Sequence, residues 1–113
     1  MVRVLVTVEP RMYREAIAFA VQRNRPEAEV MLVPDEVMDG QVKDFAPHLL
    51  VRNDFDRAIP EELLGSVLCR MEVLYTDGMA ARVSVGASSY TIEDATIEDL
   101  LALVDEAEEQ VSG

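Results

Sequence analysis

Phe45-Ala46-Pro47-His48-Leu49-Leu50-Val51-Arg52-Asn53-Asp54 is the stretch on which the reading of this chain turns. Pro47 ends whatever precedes it, because proline lacks an N–H and its predecessor avoids the helical region. His48 to Val51 then runs almost wholly apolar and stops at Arg52-Asn53-Asp54. A short, unalternating apolar run bounded by turn signals predicts a strand buried on both faces of a parallel sheet. In open parallel sheets the working site lies just past the carboxyl ends of the strands. Asn53 and Asp54 therefore stand where chemistry would occur.

Toward the amino terminus the pattern supports that sheet. Val2 to Val8 has almost no polar face and predicts a first strand, closed by Glu9-Pro10. Pro10 suits the first position of a helix. Tyr13, Ala16, Ile17, Ala20 and Val21 then recur at helical spacing and are expected to face the sheet. Arg11, Arg14, Gln22 and Arg25 form a separate, basic stripe expected to face solvent. Arg25-Pro26 ends the helix. Ala28 to Val33 predicts a second strand. A helix over 36–45 follows, with Val37, Met38, Val42 and Phe45 inward.

Beyond the central strand, residues 54–59 read as loop and Pro60 opens a short helix ending near Ser66 or Val67. The period then changes. Met71, Val73 and Tyr75 alternate with Glu72 and Leu74, and Thr76-Asp77-Gly78 is a hairpin loop with Gly78 in the left-handed position. Pairing across it sets Tyr75 opposite Met79, Val73 opposite Ala81, Met71 opposite Val83 and Glu72 opposite Arg82. Gly86-Ala87 suits a two-residue turn, which sets Val83 opposite Tyr90 and Ala81 opposite Ile92. Both turns align the same apolar face, and a slip by one residue would not. Residues 71–92 are thus expected to form an antiparallel meander. The uncharged run around Met79–Ser89, where Arg82 is the single charge, is the edge expected to support self-association. Thr96-Ile97-Glu98-Asp99 resembles a capping box. It starts a last helix with Ile97, Leu100, Leu101, Val104, Ala107 and Val111 inward.

Composition bounds the rest. The 113 residues fit one domain, 1–113, without linker or repeat. Half are hydrophobic, so a core forms, and a chain of this size buries about two-thirds of its unfolded surface. Net charge is −12, which repels nucleic acid and anionic membrane surfaces. The charge is uneven: residues 83–113 carry eight acids and no Lys or Arg. One cysteine, Cys69, precludes an internal disulfide and, with no cleavable leader pattern at Met1-Val2-Arg3, leads us to expect a cytoplasmic protein. Its expected role is that of a small buried apolar side chain.

The residues quoted above resemble the response-regulator receiver domain. Val4-Leu5-Val6-Thr7-Val8-Glu9-Pro10 resembles the family's first strand and acidic loop. Ala46 to Asn53 resembles the strand that carries the phospho-accepting Asp. Gly86-Ala87-Ser88-Ser89-Tyr90 and Glu98-Asp99-Leu100-Leu101-Ala102 resemble its last strand and helix. The resemblance implies a flavodoxin/receiver-like three-layer α/β sandwich. Its first half is a parallel βαβαβ unit, and the meander and carboxyl-terminal helix replace the usual continuation. Receivers hold Mg²⁺ on an acidic pair, phosphorylate an Asp, and read it with a Thr or Ser and a Lys. Here the acidic pair corresponds to Thr7 and Val8, the acceptor to Asn53, the lysine to Glu93 and, more loosely, the hydroxyl to Thr76. Mg²⁺ wants carboxylate oxygens, which Thr7 and Val8 do not offer.

The resemblance therefore implies a degenerate, or pseudo-receiver, domain. It is expected to be a non-catalytic, phosphorylation-independent protein-interaction module in signalling or regulation, not an enzyme. Its protein partner is not named by the sequence, and homo-oligomer formation is expected. The alternative is a small-ligand-binding or weakly catalytic domain using Thr7, Glu9, Asn53 and Asp54 at the strand ends. Glu9, Asp54 and Asp56 are the nearest approach to a metal site, but successive strand residues point to opposite faces and no metal is expected. His48, the single histidine, starts the buried strand and is expected to be hydrogen-bonded or packed. The five glycines are isolated and form no phosphate loop, so no cofactor is expected.

Overall fold

The structure, a computed structural model, describes residues 2–8, 11–34, 38–53, 67–76, 78–86 and 88–112. Six strands form one mixed sheet: β1 (Arg3–Val6), β2 (Glu29–Leu32), β3 (Leu49–Asn53), β4 (Cys69–Thr76), β5 (Gly78–Val85) and β6 (Ser88–Ile92). Among the described residues, three helices accompany them: α1 (Arg11–Asn24), α2 (Met38–Phe45) and α3 (Ile97–Ser112). The strand order is β2-β1-β3-β4-β5-β6. Strands β1 to β4 are parallel to their neighbours, and β4, β5 and β6 are antiparallel. The fold is thus α/β, with a parallel βαβαβ first half and a meander, as the hydrophobic patterns require. Residues 60–66 of the expected short helix and the turn residues Asp77 and Ala87 lie outside the described residues.

The parallel strands alternate between two cores. Val2, Val4, Val6 and Val8 join Leu49, Val51, Cys69 and Met71 on the face covered by α1 and α3. Leu5 and Leu50 turn the other way, toward Val42 and Phe45 of α2. All five residues of β3 are buried, including Arg52 and Asn53. The central strand therefore runs two residues past the apolar stretch that marks it in the sequence.

The meander has the register its turns dictate. Tyr75 faces Met79, Val73 faces Ala81, Met71 faces Val83 and Glu72 faces Arg82. Val83 faces Tyr90 and Ala81 faces Ile92. Gly86 has φ of 58°, the left-handed conformation a two-residue hairpin turn demands. One expectation needs correction. Residues 79–85 belong to β5, which is paired on both sides; among the described residues the free edges of the sheet are β2 and β6, and Ser88 and Ser89 lie in the latter.

Two helices depart from their expected faces. In α1 the buried residues are Arg14, Ala18 and Val21, with Ile17 half-buried. Tyr13 and Ala16, expected inward, are exposed, and Arg14, expected in solvent, is buried. The helix has turned by somewhat less than one residue step, because the aliphatic stem of an arginine packs like an apolar side chain. In α3, Leu100, Leu101, Val104 and Ala107 are buried as expected and Leu103 joins them, while Ile97 is exposed. The start of α3 is a reciprocal cap: Thr96 N–H donates to Asp99 Oδ2 at 2.8 Å, and Asp99 N–H donates to Thr96 Oγ1 at 3.4 Å. No helix among the described residues is long and apolar enough to cross a membrane.

Candidate functional site

The chain leaves β1 toward β2 on one side and β3 toward β4 on the other. Such a divergence is where open α/β sheets form a crevice at their carboxyl ends. Thr7 is the first residue past β1, and its N–H donates to the Val51 carbonyl at 2.9 Å. The ladder thus continues one step beyond the strand. Thr7, Val8, Arg52 and Asn53 are all buried, Thr7 and Asn53 at 0% exposure. Glu9, Asp54 and Asp56 lie outside the described residues.

The sheet brings Thr7 and Asn53 to one edge but not to one face. Because Val6 and Val8 both belong to the α1 and α3 core, Thr7 between them points with Leu5 toward the α2 side. Asn53 alternates with Arg52 and shares the side of Leu49 and Val51. The Thr7 Oγ1 is buried and meets no hydrogen-bond partner among the described residues. Arg14, buried in the first turn of α1, is a fourth buried polar side chain at this end of the sheet. Sequence reasoning missed Arg14 and Arg52, since charge in a sequence signals solvent. Arg14, Arg52 and Asn53 all have interaction partners.

What stands beside Asn53 is apolar. Asn53 is in register with Val73. Val73, Val51, Met71, Ala81, Ile97 and Leu100 line a cleft of about 110 Å³ between the sheet, α1 and the start of α3. The space suits an aliphatic group and offers no convergent set of polar atoms. At Thr7, Val8 and Asn53 the side chains are a hydroxyl, an isopropyl group and an amide, all sealed from solvent. None of the three supplies the carboxylate oxygen that a hard cation or an acyl phosphate needs. Glu93 is exposed in the turn after β6.

The opposite end of the sheet holds the single histidine. Arg3 N–H donates to His48 Nδ1 at 2.9 Å, and the Arg3 guanidinium lies 3.2 Å from Nε2. A neutral imidazole has one acceptor nitrogen. With Nδ1 accepting, Nε2 carries the proton, so the guanidinium contact is not a hydrogen bond. Burial and the neighbouring Arg3 charge both push the His48 pKa below its usual value. His48 is thus a structural tie between β1 and the start of β3, remote from the carboxyl edge. Cys69 is a buried free thiol, and burial raises its pKa.

The outer surface of α1 has the opposite character to the sealed edge. Met12, Ala16, Phe19 and Arg23 recur at i, i+4, i+7 and i+11, so they share one face. Met12 is 78% exposed, Phe19 65% and the flanking Tyr13 47%. Phe19 and Leu32, the latter at the end of β2, border an open depression with Val30. The expected basic stripe is mostly occupied elsewhere. Gln22 Nε2 donates to the Ala28 carbonyl at 3.1 Å. Arg25 makes a two-pronged pair with Asp105 of α3 at 2.6 and 2.8 Å, which raises the Arg25 pKa and lowers that of Asp105. No known family model, curated protein or solved structure matches the chain.

Proposed function

We propose that this protein is a non-catalytic, receiver-like interaction module that works without phosphorylation, in a signalling or regulatory setting. In this reading the flavodoxin/receiver-like three-layer plan of the first half is a scaffold, and the carboxyl edge is packed where a working receiver is open and acidic. The observation that carries the reading is the exposed apolar row Met12, Ala16 and Phe19 on α1. A large apolar strip left in water on one helix marks a surface that another protein covers. The partner that fits has apolar side chains for Met12 and Phe19 and an acidic rim for Arg23, and α1 is the least acidic surface of a strongly acidic chain.

The test compares the wild-type chain with Phe19→Glu as immobilised bait. A partner retained by the wild type and lost by Phe19→Glu, at unchanged melting temperature, supports the proposal. Equal retention by both rejects this surface. A second reading has one observation in its favour: Thr7 and Asn53 flank the point where the strand connections diverge. On that reading the chain binds a small ligand at Thr7, Glu9, Asn53 and Asp54. The apolar lining beside Asn53 favours the interaction module.

A further inference from the structure

We infer that two copies of this chain pair through β6, antiparallel and centred on Tyr90, to give one continuous twelve-stranded sheet. The inference is independent of the α1 surface, which lies on the other side of the strand order. It begins from the two free edges of the sheet, β2 and β6. An edge strand carries unpaired N–H and C=O groups, and natural proteins guard such edges with charges, prolines or short length. The β2 edge is guarded: exposed Glu29 lies in it and Pro34 follows two residues beyond it. The β6 edge is not. Ser88-Ser89-Tyr90-Thr91-Ile92 has no charge, proline or glycine, and its first four residues are exposed. In a chain with 28% charged residues, the ten residues Val83–Ile92 carry none.

What covers that edge is identified by its symmetry. Pairing β6 with a second β6 about Tyr90 sets Ser88 opposite Ile92, Ser89 opposite Thr91, and Tyr90 opposite Tyr90. The pairing is isologous, so it closes as a dimer and does not propagate. Tyr90 shares the face of Val83, toward α3, and the two Tyr90 rings form a cross-strand aromatic pair there. Ser89 and Thr91 share the other face, where hydroxyl pairs across strands are favourable. The flanking charges select the direction. Glu93 and Asp94 follow β6 directly. In the antiparallel pairing, Glu93 of the two copies lies about 20 Å apart at about 3.4 Å per residue. A parallel pairing would set Glu93 against Glu93 in a protein of net charge −12. Five residues per copy bury less than a standard interface, which places the association among the weak ones.

The experiment uses the full chain and three variants. Sedimentation equilibrium of the wild type from low to high micromolar concentration is expected to rise from 12.6 kDa toward twice that mass. Tyr90→Lys puts like charges face to face and is expected to weaken the dimer by about tenfold or more. Tyr90→Cys is expected to form a covalent dimer on mild oxidation, because facing residues on antiparallel strands have Cα separations of about 4.5–5.5 Å, within disulfide reach. Ser88→Cys faces Ile92 of the other copy and is expected to stay uncrosslinked. Should Tyr90→Lys fail to fold, the two cysteine variants decide alone. A monomer at every concentration, a dimer indifferent to Tyr90→Lys, or equal crosslinking of Tyr90→Cys and Ser88→Cys would each overturn the inference.

Discussion

The parallel half and the meander solve the same problem, how to end a sheet, in opposite ways. At the carboxyl edge of β1 and β3, polar side chains are drawn inward: Thr7, Arg52 and Asn53 are buried, and Arg14 of α1 is buried at the same end. In β6, polar side chains are left outward and uncharged, with Ser88 to Thr91 exposed along a free edge. Buried polar groups are costly unless partnered, and Arg14, Arg52 and Asn53 each have an interaction partner. An unguarded edge costs little in the monomer but remains open to pairing. The difference teaches where this molecule keeps its capacity for change. The carboxyl edge of β1 and β3 is part of the core, and the surfaces left open among the described residues are an edge strand and one helix face.

The comparison can be broken most forcefully in the parallel half. Leu50 has 0% exposure and links β3 to the α2 core. Leu50→Ala is expected to cost about 2–5 kcal/mol, the range for truncating a buried leucine. Chemical denaturation followed by circular dichroism measures it. A loss under 1 kcal/mol would mean that the second core contributes little. The meander should yield less to a single change. At Gly86 a Cβ would meet nothing within 4 Å, so the penalty is conformational alone. With φ at 58°, Gly86→Val is expected to cost about 1–2 kcal/mol, read from the shift in denaturation midpoint.

The two halves also differ in how far sequence alone carries. The meander's register is readable because each turn fixes its own pairing and both agree on the buried face. Val73 with Ala81 and Ala81 with Ile92 follow from Thr76-Asp77-Gly78 and Gly86-Ala87 alone. The parallel strands are readable as apolar runs, and the order of their elements follows from the alternation of periods. The face of α1 is not readable by hydropathy, because Arg14 is buried in place of Tyr13 and Ala16. Counting apolar side chains treats an arginine as a mark of solvent, whereas its stem packs and its head finds partners. The same blindness hid Arg52. The candidate site was legible as a location, at the carboxyl ends, but whether Thr7 and Asn53 face each other depends on strand alternation past β1. It sets them on opposite sides.

Smaller effects sharpen the comparison at the junctions. Thr96→Ala removes the hydroxyl that caps α3 and is expected to cost about 1 kcal/mol. Ala46 holds φ at 50° just after α2. Ala46→Gly is expected to stabilise by about 1 kcal/mol, since glycine adopts that conformation without a Cβ clash. The smallest effect is one of pH. In the folded chain, burial and the Arg3 charge hold the His48 pKa below its ordinary value. The unfolded chain therefore takes up a proton, at the ordinary histidine pKa near 6.5, that the folded chain refuses. This histidine's contribution is constant above that value, and stability declines as pH falls below it until the folded form titrates too. Thermal melts from pH 7.5 to 5.5 should fall less for His48→Asn than for the wild type. An identical decline in both would remove His48 as the cause.

On the proposed reading, the carboxyl edge does not carry out phosphotransfer. The direct measurement is the intact mass of the wild-type chain after incubation with Mg²⁺ and acetyl phosphate. Thr7 and Val8 offer no carboxylate for the metal, Asn53 is an amide, and all three are buried. The predicted result is an unchanged mass. A Mg²⁺-dependent phosphoryl adduct, mapped by fragmentation to Asp54, would contradict the account and make this chain a working switch with a displaced acceptor.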